Sequence, residues 1–140
     1  MLKFSDTMCF KLGAASRALQ KYYNNRYAEY GVTVAQSFIL FALTEDDGQN
    51  IKSLAEKLIL DSSAVTGFID RLEKEGFVRR VVDPNDRRSF LIYLTDKGKL
   101  TAQAIDPITK EVNDLLRTGM DPAMNEMWDK YLDNIEGYLK

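Results

Sequence analysis

The sequence has no histidine and a single cysteine, Cys9. An internal disulfide, a Cys/His zinc cluster and a histidine-based catalytic triad are therefore excluded. Because no other nucleophile stands beside a base, we expect neither an enzyme nor a bound cofactor. No stretch approaches the roughly 18 uncharged residues of a membrane-spanning helix, and the start lacks the apolar core of a secretory signal. These absences favour a cytoplasmic protein with no membrane partner.

Net charge is also low, but it is unevenly distributed. The 140 residues include 19 Lys and Arg against 21 Asp and Glu, a net charge of −2. Residues 49–100 hold ten basic and eight acidic residues, whereas residues 101–140 hold four and eight. Only the middle segment would favour a polyanion, and an excess of two charges is small enough to be noise. Local patterns therefore carry more weight than the total.

Apolar side chains recur every three or four residues over most of the chain, which predicts helices. We predict helices from Ser5 to about Tyr30, from Thr33 through Leu43, from Ile51 to Leu58, from Asp61 to Gly76, from Asp96 onward and from Pro122 to Leu139. Residues 46–50 have the composition of a turn. Pro107 is expected to bend or interrupt the long helix that begins at Asp96.

After Gly76 the apolar period changes from 3.6 to two. Residues 77–82 and 90–94 read as strands, and residues 83–88 between them have turn chemistry. Two short helices, a tight turn and a hairpin form a winged helix-turn-helix. We therefore predict one unit, 1–140, mainly α with a small β-hairpin wing. Its winged helix-turn-helix spans residues 33–100, with flanking helices in 1–32 and 101–140.

The second helix of the predicted pair has one apolar and one polar face. Its inward positions are Val65, Phe68, Ile69 and Leu72, and its outer positions are Ser62, Ser63, Thr66, Gly67, Asp70, Arg71 and Lys74. Small polar residues near a helix N-terminus allow close approach to the major groove, and the N-terminus favours phosphate. Arg71 would reach a phosphate or a guanine edge, and Lys74 lies on the same face. A merely solvated helix surface would look the same in isolation.

The wing carries an arginine pair, Arg87 and Arg88, in its turn. Adjacent like charges are unfavourable unless they have a use, and arginines inserted into a narrow minor groove read its width. Asp86 would orient a guanidinium through a charge-assisted hydrogen bond. The alternative is a solvated loop with ion pairs worth under about 1 kcal/mol.

Four motifs occur in the order found in one known family. They are Leu60-Asp61-Ser62-Ser63, Leu72-Glu73-Lys74-Glu75-Gly76-Phe77-Val78, Asp83-Pro84-Asn85-Asp86-Arg87-Arg88 and Leu94-Thr95-Asp96-Lys97-Gly98. Over essentially its whole length the chain resembles the MarR-type transcriptional regulators. The resemblance implies a homodimer that binds double-stranded DNA at a pseudo-palindromic operator. It also implies that Asp86 holds Arg88, that Arg88 enters the minor groove and that Arg87 is auxiliary.

The terminal segments independently favour a dimer. They carry aromatic residues at helical spacing, Tyr22, Tyr23, Tyr27, Trp128, Tyr131 and Tyr138. A winged helix of some 50–60 residues cannot cover that much apolar surface, so pairing across a two-fold axis is expected. Two half-site contacts would then act as one bivalent ligand. The alternative is that these helices pack within one subunit.

The surroundings of Cys9 resemble the first helix of the OhrR-like, peroxide-sensing branch of the family. There a lone cysteine at this position is oxidised and the dimer releases DNA. Tyr23 is nearly four turns away, so only a partner subunit's tyrosine would reach the sulfur. The chain departs from that branch at Gly13 and Val34, where tyrosines are expected. An inert cysteine and a small aromatic effector near the dimer core remain the alternatives.

The function predicted from the sequence is thus a dimeric DNA-binding regulator, of repressor type, relieved by an aromatic ligand or by oxidation of Cys9. The main rival is a winged helix used only for protein–protein contacts, since a fold does not fix a function. The exposed arginines Arg87 and Arg88 argue against that rival.

Overall fold

The computed structural model describes all residues, 1–140. The α-helices are α1 (Met8–Tyr27), α2 (Val34–Glu45), α3 (Ile51–Leu58), α4 (Ser62–Lys74), α5 (Asp96–Arg117) and α6 (Pro122–Asp133). The strands are β1 (Gln49–Asn50), β2 (Val78–Asp83) and β3 (Asp86–Leu94), and short 3-10 turns occupy Phe4–Asp6, Ala28–Tyr30 and Ile135–Leu139. The prediction of a mainly helical fold with a small antiparallel wing is confirmed. Packing divides the chain into two compact units, Met1–Asp106 and Pro107–Lys140, and each is described by itself.

Side-chain caps set where the helices begin. Thr33 forms a capping box with Gln36 at the start of α2, and Asp61 accepts a hydrogen bond from the Ala64 amide at the start of α4. The helices predicted from the sequence start at these two residues, because a short polar side chain at this position satisfies amides that the helix leaves unpaired. The first helix is shorter than predicted: α1 starts after Thr7, whose hydroxyl accepts from the Phe10 amide, and it ends at Tyr27.

The sheet has three strands rather than two. Its order is β1-β3-β2, all antiparallel, with β3 in the centre. The prediction that residues 46–50 form only a turn is wrong at Gln49 and Asn50, which pair with Ile92 and Leu91. Gln49 is buried, and its amide donates to the carbonyls of Ala42 and Asp46 at 3.1 and 2.6 Å. Gln49 was not predicted as a strand residue because its side chain is polar, although here it binds carbonyls at the end of α2.

The hairpin turn is tighter than predicted. Asp83 pairs with Asp86, so only Pro84 and Asn85 form the turn, and the register shifts between Val82 and Asp83. The interpretation of residues 83–88 as one loop is therefore corrected. Asp86 and both arginines that follow it belong to β3. The β-conformation fixes the direction of their backbone, which a loop would leave free.

The core of the first unit joins the end of α1 to the winged helix. Tyr27 is only 1% exposed, and the Asn24 side chain accepts a hydrogen bond from the Val34 amide at 2.8 Å. Of the residues predicted to face inward on α4, Val65, Ile69 and Leu72 are buried, whereas Phe68 is only half-buried. The last turn of α1 therefore packs against the segment 33–100 that was predicted as the winged helix-turn-helix.

Gly98 lets α5 begin directly against Phe77, the residue before β2. A Cβ at this position would overlap the carbonyl oxygen of Phe77, a backbone atom that has no room to move aside. Thr95 caps α5, since its hydroxyl accepts from the Gly98 amide at 3.1 Å. The Thr-x-x-Gly spacing therefore serves a cap and a close approach at once.

In the second unit one arginine links α5 to α6 through hydrogen bonds. Arg117 near the end of α5 donates to both carboxylate oxygens of Asp129 on α6, at 3.2 and 2.8 Å, and also to Asn125. Pro107 does not interrupt α5, because proline removes only one helical hydrogen bond and the turns on either side persist.

The last helix ends at Asp133 instead of Leu139, and a 3-10 turn follows. None of the helices has the length and apolarity needed to span a bilayer.

Candidate nucleic-acid interface

Helix α4 presents the polar face that the sequence predicted. Ser62, Ser63, Arg71 and Lys74 are exposed, and Thr66 is half-buried. In the middle of the same face Gly67 has open space, since a Cβ there would meet no atom within 4 Å. The outer surface of α4 therefore has small side chains toward its N-terminal end and basic side chains toward its C-terminal end.

The N-terminal end of α4 is held by its own side chains. Asp61 Oδ1 accepts from the Ala64 amide at 2.8 Å and from the Ser63 hydroxyl at 2.7 Å. The backbone hydrogen bond and then the Ser63 hydroxyl lower the pKa of Asp61 below its ordinary value. The Thr66 hydroxyl donates to the carbonyl oxygen of Ser62 at 2.8 Å. These bonds fix the rotamers of the first turn.

Arg80, which the sequence analysis did not single out, ties α4 to the sheet. Its guanidinium is ion-paired with Asp70 of α4, lies 3.7 Å from a carboxylate oxygen of Glu73, and sits 5.9 Å from the centre of the Phe90 ring. Its side chain is 23% exposed, and its Nε is buried without a hydrogen-bond partner. The alternation of residues along β2 could have indicated this contact. Arg80 falls between Val78 and Val82 on one face of β2, where a charge needs a partner.

The end of the hairpin holds its arginine in a defined orientation. Asp86 Oδ1 accepts from both the amide and the Nε of Arg88, at 3.0 and 3.2 Å. The Arg88 side chain is nevertheless 92% exposed, and Arg87 beside it is also exposed. An exposed pair of this kind contributes under about 1 kcal/mol to stability. Its physical effect is to limit where the Arg88 guanidinium points.

The structure does not bring the two predicted effector residues together within one chain. Cys9 and Tyr23 both lie on α1, about 21 Å apart along the helix axis. Cys9 is exposed, whereas Tyr23 packs against Tyr27 with ring centroids 5.5 Å apart. Burial, followed by the neighbouring Tyr27, raises the pKa of Tyr23 above its ordinary value. Its phenol therefore stays protonated and remains a hydrogen-bond donor.

Helix pair, capped second helix and hairpin define a winged helix-turn-helix protein. A family model described as "MarR family" matches residues 32–90. The HTH-type transcriptional regulator SarZ of Staphylococcus epidermidis is 33% identical over 108 residues, 77% of this chain and 73% of SarZ. The chain therefore belongs to the MarR family and is a winged-helix regulator of that type.

Solved structures agree with this assignment. The DNA complex of MepR from S. aureus superposes with a TM-score of 0.87 over 99% of this chain and 100% of MepR, at 21% identity, which shows the shared fold. A DNA-bound structure of overoxidised AbfR has a TM-score of 0.79 and 26% identity, over 95% of this chain and 92% of AbfR.

Proposed function

We propose that this chain is a dimeric repressor that binds a pseudo-palindromic operator. In this proposal α4 enters the major groove and Arg88 enters the adjacent minor groove. The observation that carries it is the orientation of the exposed Arg88 by Asp86 at the start of β3. The likeness to SarZ, and to AbfR in its DNA complex, supports DNA as the partner.

Each residue of the interface has a role that follows from its chemistry. Arg71 and Lys74, both exposed on the last turns of α4, reach phosphates, and Arg71 also reaches a guanine edge. Ser62, Ser63 and Thr66 face the bases. Arg88 reads the width of the minor groove, and Arg87 is an auxiliary residue that reaches a phosphate. Because the net charge of the chain is −2, this local cationic surface has to supply the attraction to DNA.

Exposed apolar side chains near both ends of the chain support the dimer. In the first unit they are Met1, Leu2, Phe4, Met8, Phe10 and Tyr22, and in the second they are Leu115, Leu116, Met124, Met127, Trp128, Tyr131, Leu132, Tyr138 and Leu139. Apolar surface of this extent is rarely left in water by a monomer. An isologous dimer buries it and presents two winged helices, whose half-sites then lie about 34 Å apart on the duplex.

Replacing Arg88 by Ala tests the proposal. We expect operator affinity to fall at least about tenfold and the slope of log affinity against log salt to become shallower by about 0.9 for each phosphate that the protein no longer neutralises. Far-ultraviolet circular dichroism and sedimentation should be unchanged, because the side chain is exposed. The matched control is Lys130→Ala, which removes a cation from a surface pair with Glu126 and should leave affinity unaltered.

The rival function, a winged helix used for protein contacts alone, makes the opposite prediction. The wild-type chain would then bind no duplex more tightly than its Lys130→Ala and Arg88→Ala variants do, even at low salt. Operator binding that depends on Arg88 and falls steeply with salt excludes it.

We also propose that oxidation of Cys9 releases the operator. Its thiolate would attack a peroxide oxygen, so that the O–O bond breaks, an alcohol or water leaves and the cysteine becomes a sulfenic acid. The likeness to AbfR, solved in an overoxidised form, supports this. Peroxide should release DNA from the wild type and not from Cys9→Ser. Release of both by a salicylate-like aromatic compound, with no effect of peroxide, would assign the effector role to a ligand instead.

A further inference from the structure

Two hydroxyl groups on the outer face of α4 already donate their only proton within the protein. Ser63 Oγ donates to Asp61 Oδ1 at 2.7 Å, and Thr66 Oγ1 donates to the Ser62 carbonyl oxygen at 2.8 Å. A hydroxyl has one proton and two lone pairs. What these two side chains still offer to an external partner is therefore their lone pairs.

The partner that holds the Ser63 proton is a strong acceptor at neutral pH. Asp61 also accepts from the Ala64 amide at 2.8 Å, and these bonds lower its pKa. A carboxylate that stays ionised keeps the hydroxyl proton directed at itself. If Ser63 donated to DNA instead, the hydrogen bond from its hydroxyl to Asp61 Oδ1 would be broken.

The same face is shaped for close approach. Ser63, Thr66, Gly67 and Asp70 follow the i, i+3, i+4, i+7 spacing of one helix face. Gly67 adds no side chain, and no protein atom lies within 4 Å of where its Cβ would stand. The fold itself therefore gives no steric reason for glycine here, although glycine weakens a helix interior. Both hydroxyl oxygens can thus come within hydrogen-bond distance of a groove floor.

Building on the DNA-binding role proposed above, we infer that Ser63 and Thr66 read the operator as hydrogen-bond acceptors only. In the major groove the exposed donors on bases are the N6 amino group of adenine and the N4 amino group of cytosine, whereas guanine offers only acceptors. Each half-site therefore carries an adenine or a cytosine amino group opposite these hydroxyls. Guanine recognition within the half-site falls to Arg71.

The test starts with duplexes selected by the full-length wild-type chain from a randomised pool. In a selected duplex, single adenines are replaced by purine, which lacks the N6 amino group, and single cytosines by 2-pyrimidinone, which lacks the N4 amino group. Single guanines are replaced by 7-deazaguanine. We expect one amino deletion per half-site to lower wild-type affinity about fivefold. The same deletion should have no effect on Thr66→Val or on Ser63→Ala, whichever side chain contacts that base.

Thr44→Val is the matched control. Thr44 on α2 donates to the Leu40 carbonyl at 2.8 Å, in the same back-bonded geometry as Thr66, but lies outside α4. This variant should retain the full sensitivity to amino deletion. If affinity ignores every amino deletion, or if Ser63→Ala or Thr66→Val abolishes sensitivity to 7-deazaguanine, the inference is wrong while DNA binding stands. If the wild type selects no duplex, the proposed function fails together with the inference.

Discussion

The ion pair between Arg80 and Asp70 should stabilise the protein by about 1 to 1.5 kcal/mol. Fully exposed pairs contribute about 0.2–1 kcal/mol, and hydrogen bonds to charged groups about 1.5–3 kcal/mol. Arg80 is 23% exposed and Asp70 is 58% exposed, so the pair belongs between these limits. The longer contact with Glu73, at 3.7 Å, adds little.

A double-mutant cycle with Arg80→Met and Asp70→Asn measures this value. Arg80→Met keeps the apolar stem and also removes the buried Nε that has no partner, an unfavourable group worth about 1 kcal/mol or more. The single variant should therefore lose less than about 1 kcal/mol, whereas the coupling energy from the cycle should reach about 1 to 1.5 kcal/mol. Urea unfolding followed by circular dichroism, at one fixed protein concentration, gives both values.

Two outcomes would contradict this reasoning. A coupling below about 0.3 kcal/mol would class the contact with ordinary surface pairs. A loss above about 3 kcal/mol in Arg80→Met would mean that the lone Nε is in fact satisfied. Arg79→Met is the matched control, because Arg79 points to the other face of β2, 4.9 Å from the Tyr93 ring centre, and should couple to Asp70 negligibly.

Two further predictions concern the frame of the winged helix. Gly98→Ala should destabilise the chain by about 2 kcal/mol or more, because the new Cβ overlaps the Phe77 carbonyl; a midpoint of urea unfolding equal to that of the wild type would contradict this. Asp61→Ala removes the cap of α4 and should lower the urea midpoint at pH 7. Since the folded state lowers the pKa of Asp61, its stabilisation is fully present above an unfolded pKa of about 3.9 and is lost as pH falls through the lower folded value. The difference between the two proteins should therefore shrink in acid, and a difference that grows there would refute the assignment.

Local signals predicted most of the fold. Thr33 and Asp61 mark helix starts by side-chain chemistry alone, and the apolar spacing on α4 places Val65, Ile69 and Leu72 in the core. The family resemblance is confirmed by the comparison with known proteins.

The missed features all depend on partners that are distant in the sequence. Gln49 is a strand residue only because Ile92, more than forty positions away, supplies its pairing partner. Arg80 is a helix-to-sheet tie only because Asp70 faces it. The wing turn was predicted too long because polar residues next to Pro84 look alike whether they pair or not, and pairing with Asp83 is what places Asp86 in β3. Composition within a short window cannot contain such information.

The start of α5 is fastened to residues 75–77, which connect α4 to β2. The Thr95 hydroxyl donates to the carbonyl of Gly76 at 2.6 Å, and the Thr95 backbone amide donates to the carbonyl of Phe77 at 3.0 Å. Lys97 donates to the Glu75 carbonyl at 2.7 Å and lies over the Phe77 ring. The connection between α4 and β2 is thus bound to the first turn of α5 and to the residue before it. Because of these hydrogen bonds, we expect a rotation of the first turn of α5 to move the base of the hairpin with it.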